Sequence, residues 1–215
     1  GLQSMVNLTT GSNNIAIGAN AMDDVNAGSN SLGSGENIFI GVNSGGGTWE
    51  DTASSYNVAV GNATMDAAMD GAGWNTAVGN AALSALTTGD TNVAIGNDAG
   101  GDITSGTSNT LMGSEAGHEL TTATSNVAIG KSALDRMDGA VTQNVAIGAA
   151  AMHGNLSNVA ITGCVAIGHE ALEGTLTTGA NYSIAIGKEA LKALTSGAGN
   201  TAIGYQSALT STTGH

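Results

Sequence analysis

Polar, small apolar and glycine positions recur along the whole chain in one short pattern, Asn-x-Ala-Ile/Val-Gly. It is clearest at residues 14–18, 57–61, 75–79, 92–96, 126–130, 144–148 and 200–204, with looser copies at 37–41, 109–113, 164–168 and 183–187. The copies close on Gly18, Gly41, Gly61, Gly79, Gly96, Gly113, Gly130, Gly148, Gly168, Gly187 and Gly204, which makes eleven with spacings of 17 to 23 residues. Asn14, Asn57, Asn75, Asn92, Asn126, Asn144 and Asn200 open the regular ones. Each copy predicts a short strand. Residue x and the Ile/Val lie two apart and share one face, while Asn and Ala share the other. The β-branched face is expected to turn into the chain's own stack, with Ile95, Ile129 and Ile147 pointing inward. The alanine row (Ala16, Ala59, Ala77, Ala94, Ala128, Ala146, Ala166, Ala185, Ala202) is then a second, small-residue face on which three chains meet.

The glycine ends the strand where the chain bends, a place for positive φ. An Ala-Leu or Ala-Met pair often follows, as at Ala82-Leu83 and Ala171-Leu172. Residues 81–86 and 188–194 read as short helical turns, too brief to stand without neighbours. One such unit cannot bury its apolar face, but stacked units cover one another. The predicted fold is therefore mainly β: a repetitive solenoid of the β-roll or β-helix kind, about eleven rungs, a short helical turn per rung, assembled as a homotrimer. It is a single domain over residues 1–215, with rungs over roughly 13–214 and a length of roughly 50 Å at about 4.8 Å per strand. Stacked asparagines are expected to form a hydrogen-bonded ladder.

Composition agrees with this and narrows function. There are 34 glycines and no proline, and proline would delete a ladder donor in any strand. Four Lys+Arg against 17 Asp+Glu leave a net charge of −13, which disfavours nucleic acid as a partner. No apolar run is long enough for a membrane-spanning helix, and no basic-then-apolar leader opens the chain. The lone Cys164 excludes an internal disulfide and occupies the repeat's Asn position, as a small buried or half-buried thiol.

Residues 200–214, Asn-Thr-Ala-Ile-Gly-Tyr-Gln-Ser-Ala-Leu-Thr-Ser-Thr-Thr-Gly, resemble the repeats of bacteriophage tail fibres. The same Ala-Ile-Gly rungs resemble the heads of trimeric autotransporter adhesins. The 17-to-23-residue period is nearer to the fibres. The resemblance implies a homotrimer of β-solenoids displayed outside a cell, on a virion tail or cell surface, serving host attachment without catalysis. The implied partners are further copies of the chain and a cell-surface glycan or protein receptor. Two other readings stand beside it: an extracellular self-assembling filament, and a glycan-degrading spike carrying paired carboxylates.

Residues that break the repeat are the candidate contact site. Trp49, Glu50, Asp51 and Tyr56 lie in the long Gly41-to-Gly61 interval, and Trp74 directly precedes Asn75. Gly45-Gly46-Gly47 is expected to give that segment freedom, and a tryptophan beside carboxylates suits a sugar. The opposing reading has Phe39 and both tryptophans capping the thin end of the stack. Metal and cofactor sites are not assigned. Glu115-Ala116-Gly117-His118-Glu119 mixes His with two carboxylates but is not a His-Glu-x-x-His motif, and His153 and His169 stand alone. Adjacent acids such as Asp23-Asp24 suit a solvated surface better than calcium. Asn-x-Ser/Thr sequons begin at Asn7, Asn62, Asn155 and Asn181, and they matter only if the source glycosylates.

Overall fold

The structure, a computed structural model, describes residues 1–6, 11–23, 33–137, 139–154 and 159–214. Strands are three residues long, or two. They are β1 (Ile15–Ile17), β2 (Ile38–Ile40), β3 (Val58–Val60), β4 (Thr76–Val78), β5 (Val93–Ile95), β6 (Thr110–Met112) and β7 (Val127–Ile129). Then come β8 (Val141–Thr142), β9 (Val145–Ile147), β10 (Ile161–Thr162), β11 (Val165–Ile167), β12 (Ile184–Ile186) and β13 (Thr201–Ile203). Eleven of them form one parallel sheet in strict chain order, β1 to β7 and then β9, β11, β12 and β13, while β8 and β10 pair separately. Register is preserved at every step, so Ala77 lies beside Ala59 and Ala94, and Val78 beside Val60 and Ile95. The fold is a parallel β-solenoid, and the sheet runs through all eleven repeats.

The strand faces are the reverse of the expectation. Ala59, Ala77, Ala94, Ala128, Ala146, Ala166 and Ala185 are fully buried, whereas their β-branched neighbours, Ile95, Ile129 and Ile147 among them, are only half-buried. The alanine row is therefore not available to other chains. The cause is the narrowness of the coil. Opposite most of these alanines the same rung supplies a buried Leu or Met four residues past the glycine, such as Met65, Leu83, Leu134, Met152 and Leu172. That side chain fills the interior, and an inward Val or Ile would overfill it.

The turns that follow the strands are not helical. Ala81 and Leu83 have φ of 55° and 51°, and Glu189 and Leu191 have 59° and 50°. An α-helix needs about −63° at every residue. No α-helix occurs among the described residues, and helical backbone there is 3-10, as in the turn Thr178–Ala180. Left-handed backbone recurs two and four residues after each closing glycine, and again just before each Asn. This geometry aims successive amides along the stack in opposite directions. Ala81 N donates back to Asn62 O at 2.9 Å, and Leu83 N donates forward to Ala99 O at 3.1 Å. Each rung thus bonds to both neighbours, which compensates the roughly 1–2 kcal/mol that a left-handed L-residue costs. Gly1 to Met5 follow the same turn pattern, with Gln3 and Met5 left-handed and Met5 N bonded to Ala21 O.

The closing glycines do have positive φ, 126° to 145°. Stacking requires them as much as the bend does. A Cβ on Gly41 would lie 2.0 Å from Gly61 O, and one on Gly96 2.4 Å from Gly113 O.

The asparagine ladder is present and buried. Asn75 donates N and Nδ2 to Asn57 Oδ1 at 3.0 and 3.1 Å, and its second Nδ2 hydrogen goes to Gly89 O at 2.8 Å. Asn92, Asn109, Asn126 and Asn144 repeat this arrangement. It satisfies a backbone donor that no strand partner reaches, and every side-chain amide group besides. At the next step Cys164 N still donates to Asn144 Oδ1 at 2.9 Å, while its thiol, fully buried, takes over the amide's place beside Ala180 O. Asn200 reaches Ser183 Oγ at 3.4 Å.

Candidate interaction surface

Trp49 is not a surface residue. It is fully buried, its ring meets Phe39 edge-on with centroids 5.7 Å apart, and its indole N–H donates to Gly45 O at 3.1 Å. It therefore leaves the set of contact residues. The capping reading needs correction as well, because β1 stacks beyond Phe39. The pair fills an interior layer and does not close an end. The three glycines of this segment are not loose. Side chains on Gly45, Gly46 and Gly47 would collide with Phe39, with Asp66 Oδ1 and with the backbone of Ala67 respectively. Glu50 and Asp51 are exposed next to this buried anchor.

Tyr56 and Trp74 are the aromatic pair that the fold does bring together at the surface. Each is the residue immediately before a ladder asparagine, Asn57 or Asn75, and each is left-handed, with φ of 63° and 56°. The buried asparagine pulls its own side chain inward, and the left-handed turn throws the preceding side chain out. Tyr56 N donates to Gly35 O, and Trp74 N to Ser55 O at 3.1 Å, so both backbones are anchored to the previous rung. Their rings stack with centroids 5.4 Å apart and planes 5° from parallel, while remaining 46% and 61% exposed. The separation is close to one rung.

This column of outward residues continues along the stack. Glu36, also left-handed, precedes Tyr56 in it, and Thr91 follows Trp74, its hydroxyl 3.0 Å from Ser108 Oγ. Asp90 Oδ1 accepts the N–H of Gly73, next to Trp74, at 2.7 Å. Further on, Tyr182 is 63% exposed and lies over Gly163, whose Cβ would meet its ring at 2.5 Å. The edge therefore offers a flat aromatic face with carboxylate acceptors on neighbouring rungs. It can stack on the C–H face of a ring-shaped ligand and accept its hydroxyl hydrogens. The signal for the pairing was the 18-residue spacing of Tyr56 and Trp74, one full rung, whereas Trp49 occupies a different place in its repeat.

A second surface was not foreseen. The outward strand positions form two continuous columns from β1 to β13, all Ile, Val, Met or Thr and none charged. Ile15, Ile17, Val60, Val78, Met112 and Ile203 are 36% to 67% exposed. No helix among the described residues is long and apolar enough to cross a membrane. Asn62 is exposed and its Oδ1 accepts from Val42 N, Asn181 Oδ1 accepts from Thr162 N, and Asn7 and Asn155 lie outside the described residues. Comparison of the chain with protein-family models, with curated proteins and with solved structures finds no match.

Proposed function

We propose that this chain is a non-enzymatic shaft module of an extracellular fibre, of the phage tail-fibre kind, that assembles as a homotrimer and holds a receptor-contacting edge away from the particle. The observation that carries the reading is the uncharged β-branched face running the length of the sheet. Eleven rungs at about 4.8 Å make this stripe roughly 50 Å long, far more continuous than the scattered apolar residues of an ordinary surface. An identical, equally long face on a second and third copy covers it rung for rung. Charge points the same way. Each chain carries −13, so close assembly is tolerable only through a face that bears no carboxylate. Trimerisation therefore uses the Ile/Val columns and not the alanine row.

On the outer edge Tyr56 and Trp74 stack on a cell-surface glycan. Three copies multiply a weak contact through effective concentration. The test is native mass measurement of the wild type and of Ile129→Lys and Ile147→Lys. The trimer reading expects three chains for the wild type and one folded chain for the variants. A wild-type chain that stays monomeric at micromolar concentration overturns it.

The filament reading rests on the same in-register parallel pairing, continued from one chain to the next. A mass distribution without a closed stoichiometry favours this second reading.

A further inference from the structure

His118, Asp135 and His153 are 17 and 18 residues apart and share no local motif. Each lies five residues past a closing glycine, Gly113, Gly130 and Gly148, on three successive rungs. The solenoid therefore places them in one column, with Asp135 in the middle. His118 Nδ1 stands 3.9 Å from Asp135 Oδ1, and His153 Nε2 stands 3.9 Å from Asp135 Oδ2. Glu119 joins from the neighbouring position: one donor atom from each of His118, Glu119 and Asp135 lies within 4.8 Å of the others. Asp135 is only 7% exposed, and His118 and Glu119 beside it are half-buried. The rung before gives His118 its seat. Gly101 is buried, and a Cβ there would lie 2.8 Å from His118 Cδ2 and 3.3 Å from Nε2. Asp135 is steadied by the N–H of Arg136, which donates to Oδ1 at 2.8 Å.

From this geometry we infer a divalent transition-metal site, best suited to Zn2+, held by His118, Glu119 and Asp135 with a water as the fourth ligand, while His153, at the other oxygen of Asp135, orients that carboxylate from the next rung. Imidazole nitrogen with carboxylate oxygen is a zinc donor set, and calcium and magnesium prefer oxygen alone. Donors around a tetrahedral zinc stand roughly 3.4 Å apart, given metal–ligand distances of about 2.0–2.2 Å. The 3.9 Å between His118 Nδ1 and Asp135 Oδ1 thus needs closing by about half an ångström, and no pair in the set by more than about 1.4 Å, a side-chain adjustment. A bound cation neutralises two carboxylates of a strongly acidic chain. It also ties together the turns after β6 and β7, acting as a clip between two rungs. The inference is independent of the trimer and of the receptor.

The competing account is that protonated histidines simply pair with Asp135. The two are separated by titrating the full chain, first stripped with a chelator, with ZnCl2 by calorimetry at slightly alkaline pH. Melting is followed in Zn2+, Ca2+ and Mg2+, and Co2+ is added for its ligand-field spectrum. The expected result is one zinc per chain at micromolar or tighter affinity, a melting temperature raised by zinc and not by calcium or magnesium, and a Co2+ spectrum of tetrahedral type. His118→Gln and Glu119→Gln, both at partly exposed positions, should weaken binding by about tenfold or more. His169→Ala, on another column, should not. Failure to bind zinc below millimolar concentration, or equal binding by folded His118→Gln and Glu119→Gln, overturns the site.

Discussion

The ring of Phe39 occupies the space that a side chain at Gly45 would take: a Cβ on Gly45 would lie 2.6 Å from Phe39 Cδ1. In most rungs the strand carries Ala and the turn carries Leu or Met. In this rung the sizes are exchanged. The β6 rung repeats the exchange, with Leu111 in the strand and Gly117 in the turn, where a Cβ would come within 2.8 Å of Leu111 Cδ2. In these two rungs the large and small side chains trade places six residues apart, whereas the β5 rung, with Ala94 and Gly100, is filled by Ile103 and by Leu83 and Leu111 of its neighbours.

This exchange predicts coupling between the two sites. Phe39→Ala alone should cost about 3–5 kcal/mol, as for other emptied aromatic sites. Gly45→Met alone should also destabilise, by collision with the ring. The double variant restores the arrangement of a regular rung, so its loss should be smaller than the sum by about 1–3 kcal/mol. A double-mutant cycle from denaturant unfolding checks this, and additive losses would contradict it.

The tryptophans should separate in experiment. Trp49→Ala removes a fully buried ring and should cost about 3–5 kcal/mol. Trp74→Ala and Tyr56→Ala remove only an exposed stack, worth about 0.5–1.5 kcal/mol beyond its area. Under the receptor reading those two abolish cell or glycan binding while the protein stays folded. Thermal melts beside a glycan-array or cell-binding assay give both readouts.

Interruption of the ladder should be costly in mid-stack. Asn109→Ala strands the N–H and one Nδ2 hydrogen of Asn126, which both point at Asn109 Oδ1. It also removes one of the two donors to Asn92 Oδ1, which keeps the backbone N–H of residue 109, and leaves Ala123 O without its partner. Several orphaned buried groups at about 1–3 kcal/mol each should lower stability well beyond an ordinary surface change. Asn62→Ala, on the exposed turn, is the control. Comparable melting of the two variants would deny the ladder its structural role.

Acid should distinguish Asp66 from Glu170. Burial is the main cause that raises the Asp66 carboxyl above its ordinary value, with Asp23 adding to it and the Gly46 N–H opposing. A folded pKa above the unfolded one means that the native state binds the extra proton. Stability therefore falls as pH rises from about 3.9, the unfolded value. Asp66→Asn should raise the melting temperature at neutral pH and make no difference well below that value. Glu170 runs the other way. Its hydrogen bond from Lys192 lowers its pKa, so its contribution is present above about 4.3 and lost as pH falls through the folded value. Lys192, raised by its bonds to Glu170 and then Glu173, keeps its contribution up to about pH 10.4 and loses it above. Lys192→Met should flatten both edges of the stability profile, as measured by melting across pH.

The repeat, its count, the parallel in-register stack, the asparagine ladder and the positive φ of the closing glycines were all legible in the sequence. Each follows from local chemistry copied at nearly constant spacing, and stacking identical units leaves one register. Two-residue periodicity, however, says only that Ala and Ile face opposite ways. Which face is inside depends on what the rest of the rung puts into the coil. The Leu or Met after the glycine, held there by left-handed turns that resemble a helix in sequence, leaves room only for alanine and sends Ile and Val outward. The aromatic edge and the His118–Asp135–His153 column were hidden for a related reason. Their members are a full rung apart in the chain, and only the coil's closure makes position five of one rung the neighbour of position five of the next. The sequence by itself therefore determined that the chain stacks and in what register. The tertiary structure decided which face is buried and which side chains meet, because those depend on volume inside a closed turn and on proximity between turns.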